Sequence, residues 1–79
     1  MVKHYFVNHT YIVRDRLPEI LRELRKERKV SQAKLAEELG FDSGFIAKIE
    51  LGTSFVSVET LVLLADYFGV TTDYLLGRE

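Results

Sequence analysis

Apolar residues recur at intervals of three and four along most of the chain, the spacing of helices with one buried face. In the first such segment, Leu17, Leu21 and Leu24 share a face and charged residues occupy the opposite one. Asp15 is suited to cap this segment, so we expect a first helix to begin after it.

The next two segments are short and are separated by a glycine-containing turn. Ser31 is a good N-cap for a second helix from Gln32 to Leu39, and Gly40 is suited to end that helix in the left-handed conformation. We expect Asp42 to cap a third helix, from Ser43 to Leu51.

In the third segment, Ile46 and Ile49 lie three residues apart and are predicted to point into the core, with Phe45 as a partly buried anchor beside them. Contact of Phe45 with a thymine methyl is the alternative. The residues then predicted to face outward are Ser43, Gly44, Ala47 and Lys48. Two short helices joined in this way let one brace against a phosphate backbone while the other presents side chains to a DNA major groove.

Two further helices complete the pattern. Ser57 is suited to cap the fourth helix, Gly69 to end it, and Thr71 to start a short fifth helix. The apolar residues assigned to these helices are Leu61, Leu64, Ala65, Phe68, Tyr74, Leu75 and Leu76. Residues 17–79 therefore predict an all-α domain of five helices.

The N-terminal segment, residues 1–16, follows a different pattern. Aromatic and β-branched residues alternate between Lys3 and Arg14, which is typical of a strand. Because an isolated strand is unstable, we expect this β arm to pair, either as a hairpin turning at Asn8-His9 or with the same segment of a second subunit. A frayed tail is the third interpretation.

Composition narrows the class of protein. The chain has 79 residues, 47% of them hydrophobic, one proline and no cysteine, which fits a single globular core and excludes disulfides and thiolate metal sites. The longest unbroken apolar run, Leu61 to Ala65, is far too short to span a membrane. We therefore expect a cytoplasmic protein that contacts no membrane and needs no cofactor.

Charge is unevenly distributed around a net value of −1. Residues 1–16 contain three basic residues against one acid, residues 17–56 contain seven of each, and residues 57–79 contain one arginine against four acids. Any DNA-binding face is therefore expected to be local, with the acidic C-terminal third turned away from the DNA.

Four motifs occur together between Leu17 and Gly77. S-Q-x-x-L-A begins at Ser31, a glycine follows Gln32 by eight residues, and I-x-x-I-E-x-G and G-V-x-x-D-x-L-L come after it. In this combination the chain resembles the lambda-repressor-like helix-turn-helix family of phage repressors and bacterial regulators, also called the xenobiotic-response-element type. The resemblance implies a five-helix domain that binds double-stranded DNA.

The resemblance also implies roles for individual residues. Gln32 would hydrogen-bond a backbone phosphate at a helix N-terminus, where unpaired N–H groups favour an anion. Arg25 and Glu50 would form an ion pair between the first and third helices. The base-reading positions would be Ser43, Gly44, Ala47 and Lys48, with Lys48 able to donate to guanine O6 or N7.

This chain departs from the family pattern at three places. Lys29 stands where the family usually has glycine, which adds strain if the backbone there has positive φ. Leu51 stands where a polar or basic residue often meets phosphate. The following loop, residues 53–56, lacks the usual basic residues, which leaves Thr53 and Ser54 as candidate phosphate ligands and predicts modest affinity with a shallow salt dependence.

A homodimer is expected because one short recognition helix reads only a few base pairs, whereas a two-fold dimer covers two half-sites. The resemblance points to the last two helices for the interface, and its candidate residues are Val70, Tyr74, Leu75 and Leu76. Packing of these residues in the monomer's own core is the alternative, and Phe55, Val56 and the N-terminal segment are further interface candidates.

Catalysis finds no support in the residue pattern. His4 and His9 fall on opposite sides of the predicted strand and cannot share a metal there, and no nucleophile and base are suitably placed. The sequence therefore predicts a non-enzymatic, sequence-specific DNA-binding regulator, acting as a dimeric repressor on an inverted-repeat operator. The alternative is a protein-interaction module, such as the antitoxin of a toxin–antitoxin pair or an adaptor with weak or no DNA binding.

Overall fold

The computed structural model describes residues 16–79, and every regular element in that part of the chain is a helix. The chain is already helical at Arg16 and continues as α1 over residues 16–28. The other helices are α2 (Gln32–Leu39), α3 (Phe45–Leu51), α4 (Val58–Phe68) and α5 (Thr72–Leu75). The all-α prediction is confirmed, and the predicted β arm lies outside the described residues.

Three helices begin at side-chain caps. The hydroxyl oxygens of Ser31, Ser57 and Thr71 accept hydrogen bonds from the backbone N–H groups three residues later, at 3.0, 3.1 and 3.0 Å. These bonds satisfy donors that have no partner within the first turn. The capping predictions for Ser31 and Ser57 are confirmed, and the bounds predicted for α2 are those observed.

The start predicted for α3 is wrong. The helix begins at Phe45 rather than at Ser43, and its N-cap is Gly44, which has no side chain to supply a capping bond. Asp42 accepts a bond from the Phe45 N–H at 3.0 Å through its backbone carbonyl. Ser43 and Gly44 therefore belong to the turn that leads into α3.

A single apolar cluster joins all five helices of the described chain. It includes the residues predicted to face inward from α1 and α3, together with Ile20, which is 7% exposed and lies outside the predicted apolar face of α1. Its members are Leu17, Ile20, Leu21, Leu24, Leu35, Ala36, Ile46, Ile49, Leu64, Ala65, Phe68 and Leu75. Leu39 and Leu61 are only half-buried at its edge.

Arg28 joins the C-terminal ends of α1 and α4. Its guanidinium donates to the backbone carbonyls of Phe68 at 3.0 Å and Tyr67 at 3.3 Å, which are among the last carbonyls of α4. A cation at this end also complements the partial negative charge of the helix terminus. The contact holds the end of α4 against the end of α1.

Lys29 has the positive φ for which the sequence predicted strain, with a value of 57° immediately after α1. We expect Lys29→Gly to raise the free energy of unfolding by about 0.5–1 kcal/mol, because glycine adopts this conformation without the Cβ clash. Lys26→Gly is the matched control, since the same substitution inside the right-handed helix should lower the free energy by about 1 kcal/mol. Urea unfolding measures both, and equal losses would contradict the assignment of strain to Lys29.

Candidate nucleic-acid interface

The candidate reading surface consists of the turn before α3 and the outer face of that helix. Ser43, Gly44 and Lys48 are exposed, whereas Ala47 is half-buried. The opposite face is anchored by Ile46 and Ile49, which are 0% and 1% exposed. The periodicity of α3 therefore separates an anchoring face from a presenting face, with Ala47 between them.

Gly44 leaves the entrance to this surface open. A Cβ added there would meet no atom within 4 Å, so the backbone itself can approach a ligand closely. A concavity of about 430 Å³ opens at this point and is lined by Gly40, Phe41, Asp42, Gly44, Phe45 and Lys48.

Phe45 packs against the core while remaining partly exposed at the rim of this concavity. Its ring meets that of Phe41 edge to face, with ring centroids 4.9 Å apart. This arrangement is a favourable one for aromatic pairs, and it ties the start of α3 to the residue that follows α2. The structure therefore places Phe45 as a semi-buried anchor of the turn.

Glu50 lies behind the reading surface as a buried carboxylate, 4% exposed. The Arg25 side chain donates to both of its oxygens, from Nε to Oε2 at 2.7 Å and from an amino nitrogen to Oε1 at 3.0 Å. Arg25 also donates to the Val30 carbonyl at 3.1 Å. A bidentate ion pair of this kind fixes the relative orientation of the two side chains as well as their distance, so it holds α3 against α1.

The pKa of the Glu50 carboxyl is set by opposing effects. Burial raises it, but the hydrogen bonds from Arg25 and Gln32 and the charges of Arg25 and Arg22 outweigh burial and hold the pKa below its ordinary value. The Arg25 pKa is raised, chiefly by the hydrogen bond to Glu50. Glu50 is therefore charged at neutral pH despite its burial.

Gln32 takes part in this buried cluster. Its side-chain nitrogen donates to Oε1 of Glu50 at 3.0 Å, and the residue is half-buried at the first position of α2. One side-chain hydrogen of the residue predicted to contact phosphate is thus committed to a carboxylate within the protein. Gln32 consequently links α2 to α3, and a phosphate contact would fall to its remaining amide hydrogen or to the backbone N–H groups of the first turn.

Arg22 also belongs to the cluster, although its position on the polar face of α1 predicts a solvated side chain. It donates to the backbone carbonyl of Glu50 at 3.2 Å, and its Nε lies 3.6 Å from Oε1 of the same residue. The one available signal is its spacing of three residues from Arg25, which puts both on neighbouring parts of the helix surface.

In the loop after α3, the hydroxyl groups form hydrogen bonds within the protein. Thr53 Oγ1 donates to the Lys48 carbonyl at 3.3 Å, and Ser54 Oγ donates to the Phe55 carbonyl at 3.2 Å. Leu51, at the position where the family often has a phosphate-binding side chain, is 72% exposed. The structure therefore gives Thr53 and Ser54 a local structural role and leaves an apolar side chain at the end of α3.

One predicted interface residue has to be corrected. Leu75 is 0% exposed and belongs to the monomer's core, so it is not available to a second subunit. Val70 and Leu76 are half-buried, and Tyr74 is 40% exposed. Because α5 has only four residues, Leu75 is its one buried side chain, and the adjacent Tyr74 remains exposed.

The buried charge predicts a dependence of stability on pH. Because the folded-state pKa of Glu50 is depressed, its contribution is fully present above the ordinary value of 4.5 and is lost as pH falls through the lower folded pKa. We expect Glu50→Gln to be less stable than the parent at pH 7 and to lose less free energy of unfolding between pH 7 and pH 3. Urea unfolding across this range measures the difference, and parallel pH profiles would contradict the depressed pKa.

Other kinds of site find no support in the part of the chain that the structure describes. Residues 16–79 contain no group of histidine, aspartate and glutamate side chains placed to hold a metal ion. Within the same range, no helix has the length and apolar character required to cross a membrane. His4 and His9 lie outside the described residues.

Comparison with known proteins gives a family match over most of the chain. Residues 19–79 match a family model described as a helix-turn-helix domain. The HTH-type transcriptional regulator AnsR of Bacillus subtilis (strain 168) is 44% identical over 59 residues, covering 75% of this chain and 51% of AnsR. The HTH-type transcriptional activator BcrR of Enterococcus faecalis is 36% identical over 61 residues, covering 77% of this chain and 30% of BcrR.

A third relative is the uncharacterized HTH-type transcriptional regulator YobD of Bacillus subtilis (strain 168). It is 35% identical over 57 residues, covering 72% of this chain and 51% of YobD. The chain thus spans about half of AnsR and YobD and less of BcrR. No solved structure matches the chain. The match over residues 19–79 confirms the resemblance drawn from the motifs, and the chain belongs to the helix-turn-helix family.

Proposed function

We propose that this chain is a DNA-binding transcriptional regulator that places α3 and its preceding turn in the major groove of an operator. The observation that carries the proposal is the exposure of Lys48 on a helix whose opposite face is buried, with Ser43 and Gly44 exposed in the turn before it. A helix presented in this way fits the width of the major groove. The relatives that are named as transcriptional regulators support the same function.

The rigid support of α3 favours a role in recognising DNA bases over a purely structural role for this helix. Glu50, at the penultimate position of α3, accepts hydrogen bonds from Arg25 on α1 and Gln32 on α2. Base recognition requires donor and acceptor atoms to be held in place before binding, because ordering them on binding reduces affinity. The buried cluster supplies that order from behind the reading surface.

The chemistry of the surface indicates how sequence would be read. Lys48 is an exposed cation that can donate to guanine O6 or N7, and the half-buried Ala47 can meet a thymine methyl. Ser43 donates or accepts and is therefore permissive. With so few discriminating groups, the shape and deformability of the operator contribute to specificity.

We further propose that the regulator acts as a homodimer on an inverted repeat and represses by occupying it. A two-fold dimer brings two copies of α3 to half-sites about 34 Å apart, which multiplies the few base pairs that one helix reads. Tyr74, flanked by the half-buried Val70 and Leu76, is the part of the predicted interface that remains exposed.

A protein-interaction module is the second candidate, and one observation favours it. Leu51 and Val58 are 72% and 77% exposed on either side of the loop where basic residues would contact phosphate. An apolar surface at that place suits a protein partner, such as the toxin that an antitoxin binds, better than a DNA backbone.

Selection from a random pool of DNA duplexes distinguishes the two candidates. We expect enrichment of an inverted repeat whose half-site centres lie about 10 base pairs apart, bound by two copies of the chain. The binding constant should fall as the salt concentration rises. The slope of log binding constant against log salt concentration is proportional to the number of phosphates contacted. Failure to enrich any sequence at low salt, with the chain folded, would reject the regulator and leave the protein-interaction module.

A further inference from the structure

Asp42 lies at the entrance of the candidate reading surface, in the turn before α3. The residue is exposed and lines the concavity of about 430 Å³ together with Lys48. A carboxylate that faces DNA repels the phosphates, so it opposes binding unless the DNA offers it a hydrogen-bond donor. Asp42 therefore sets a condition on the DNA that this surface accepts.

The fold of the described chain holds Asp42 through its backbone. Its carbonyl oxygen accepts a hydrogen bond from the Phe45 N–H at 3.0 Å. The N-cap of α3 is Gly44, so the Asp42 carboxylate does not cap the helix. Within residues 16–79, no hydrogen bond or ion pair engages the Asp42 side chain. Both carboxylate oxygens therefore remain available as acceptors for a ligand.

The turn that carries this carboxylate is held in place before binding. Phe41 and Phe45, which precede and follow Asp42 in the sequence, meet edge to face with ring centroids 4.9 Å apart. The Phe41 N–H also donates to the Ala36 carbonyl at 2.8 Å, which ties the turn to α2. A turn fixed in this way loses little conformational freedom on binding, so a hydrogen bond made from it contributes to affinity.

The major-groove edges of the four bases differ in what they offer a carboxylate, which can only accept hydrogen bonds. Guanine presents two acceptors, N7 and O6, and thymine presents the acceptor O4 and a methyl group. Adenine presents the donor N6 beside the acceptor N7. Cytosine presents the N4 amino group alone, so it is the base that a carboxylate contacts without also meeting an acceptor.

We infer that Asp42 is a specificity-determining residue whose carboxylate accepts a hydrogen bond from N4 of a cytosine in the major groove and repels the other bases. Lys48 lines the same concavity with the opposite charge and can donate to guanine. The two side chains together favour a half-site that contains both a cytosine and a guanine. The inference rests on the proposed function and names the base that the same surface reads.

Binding of single-base variants of the operator by the full chain tests this assignment. The operator is first selected from a random pool, and duplexes that differ from it at one base pair are then compared by competition in fluorescence anisotropy. We expect one position in each half-site at which the parent prefers cytosine by about 5- to 150-fold, the usual effect of one mismatched pair. Asp42→Ala should abolish the preference at that position only. It should also bind duplexes with guanine there more tightly than the parent does, because the repulsion has been removed.

Two further variants make the result specific to the carboxylate. Asp42→Asn replaces one carboxylate oxygen by an amide nitrogen, so the preference at the same position should move from cytosine to adenine, whose N6 and N7 pair with an amide. Asp66→Asn is the matched control, because it makes the same change at an exposed aspartate on α4. The control should keep every base preference of the parent.

The outcomes separate this inference from the proposed function. A parent chain that enriches no DNA sequence would overturn the proposed function, and the inference with it. A parent chain that selects an operator while both Asp42 variants keep all of its base preferences would overturn the inference alone. Equal weakening of every duplex by Asp42→Ala, together with a lower melting temperature, would also overturn it, because the carboxylate would then act only on the N-terminal end of α3.

Discussion

Replacing Glu50 by alanine is expected to lower the free energy of unfolding by about 3 kcal/mol at pH 7. The substitution leaves Arg25 without its carboxylate in a site where the arginine side chain is only 13% exposed. An unpaired charge at such a site costs more than the pair contributes, because the charge has lost its water without gaining a partner. For a domain of this size, the melting temperature should fall by roughly 12–24 °C.

The lower end of the usual range for breaking a buried pair applies here. Arg25 keeps one protein partner after the substitution, the Val30 carbonyl at 3.1 Å. Arg22, which is 46% exposed, can turn to solvent when the carboxylate is removed. Gln32 loses its acceptor as well, but as a neutral, half-buried amide it costs less than the arginine does.

Thermal and urea unfolding measure this effect, and Glu37→Ala is the matched control. Glu37 is an exposed carboxylate on α2, so its removal should change the free energy by no more than about 0.5 kcal/mol. A loss below about 1 kcal/mol for Glu50→Ala would show that the buried cluster does not hold α3 in place. Replacing Arg25 and Glu50 together by methionine and leucine should recover much of the loss, because no charge is then left unpaired.

Lys48→Ala is expected to weaken binding to the selected operator by about 5- to 150-fold while leaving the melting temperature unchanged. The range corresponds to about 1–3 kcal/mol, the usual contribution of a direct contact to a base. The fold should be unaffected because the Lys48 side chain is exposed and its substitution leaves Ile46 and Ile49 in the core. Fluorescence anisotropy with a labelled operator duplex measures the change.

The same variant distinguishes a base contact from a phosphate contact. If Lys48 reads a base, the loss should be confined to operators that carry the preferred base pair at one position. If it meets phosphate, all sequences should weaken equally and the salt slope should fall by about 1. Arg78→Ala, which removes the same charge from the acidic C-terminal third, is the matched control and should bind as the parent does. Equal losses for the two variants would contradict a specific role for Lys48.

Much of the candidate site could be predicted from the sequence because local rules govern it. The spacing of Ile46 and Ile49 orients α3 and leaves Lys48 outside, whereas Ser43 and Gly44 are exposed because they lie in the turn before the helix. The pairing of Arg25 with Glu50 came from the family motifs, since residues 25 positions apart have no local relation. The roles of Gln32, Thr53 and Ser54 toward phosphate stay predictions.

The errors came from positions where two local rules compete or where distant parts of the chain meet. Asp42 has the side chain of a good cap, but the helix begins at Phe45 with Gly44 as its N-cap. Arg22 looks like a surface residue on α1, and only the arrival of α3 beside it supplies the Glu50 carbonyl as a partner. Leu75 fits an interface or a core equally well until the other helices are placed around it.

The sequence by itself determined the order of the helices, the caps at Ser31 and Ser57, the positive φ favoured at Gly40 and Gly69, and most of the inward positions of α1 and α3. Each of these follows from interactions within about four residues, which neighbouring positions encode directly. Only the tertiary structure decided that Gln32 and Arg22 join Arg25 around one buried carboxylate, and that Leu75 closes the core. The contacts of Glu50 join residues 18 or more positions apart. The burial of Leu75 depends on which surfaces remain uncovered once the helices have packed. The periodicity of the sequence carries no information about distant contacts or about the packing of helices.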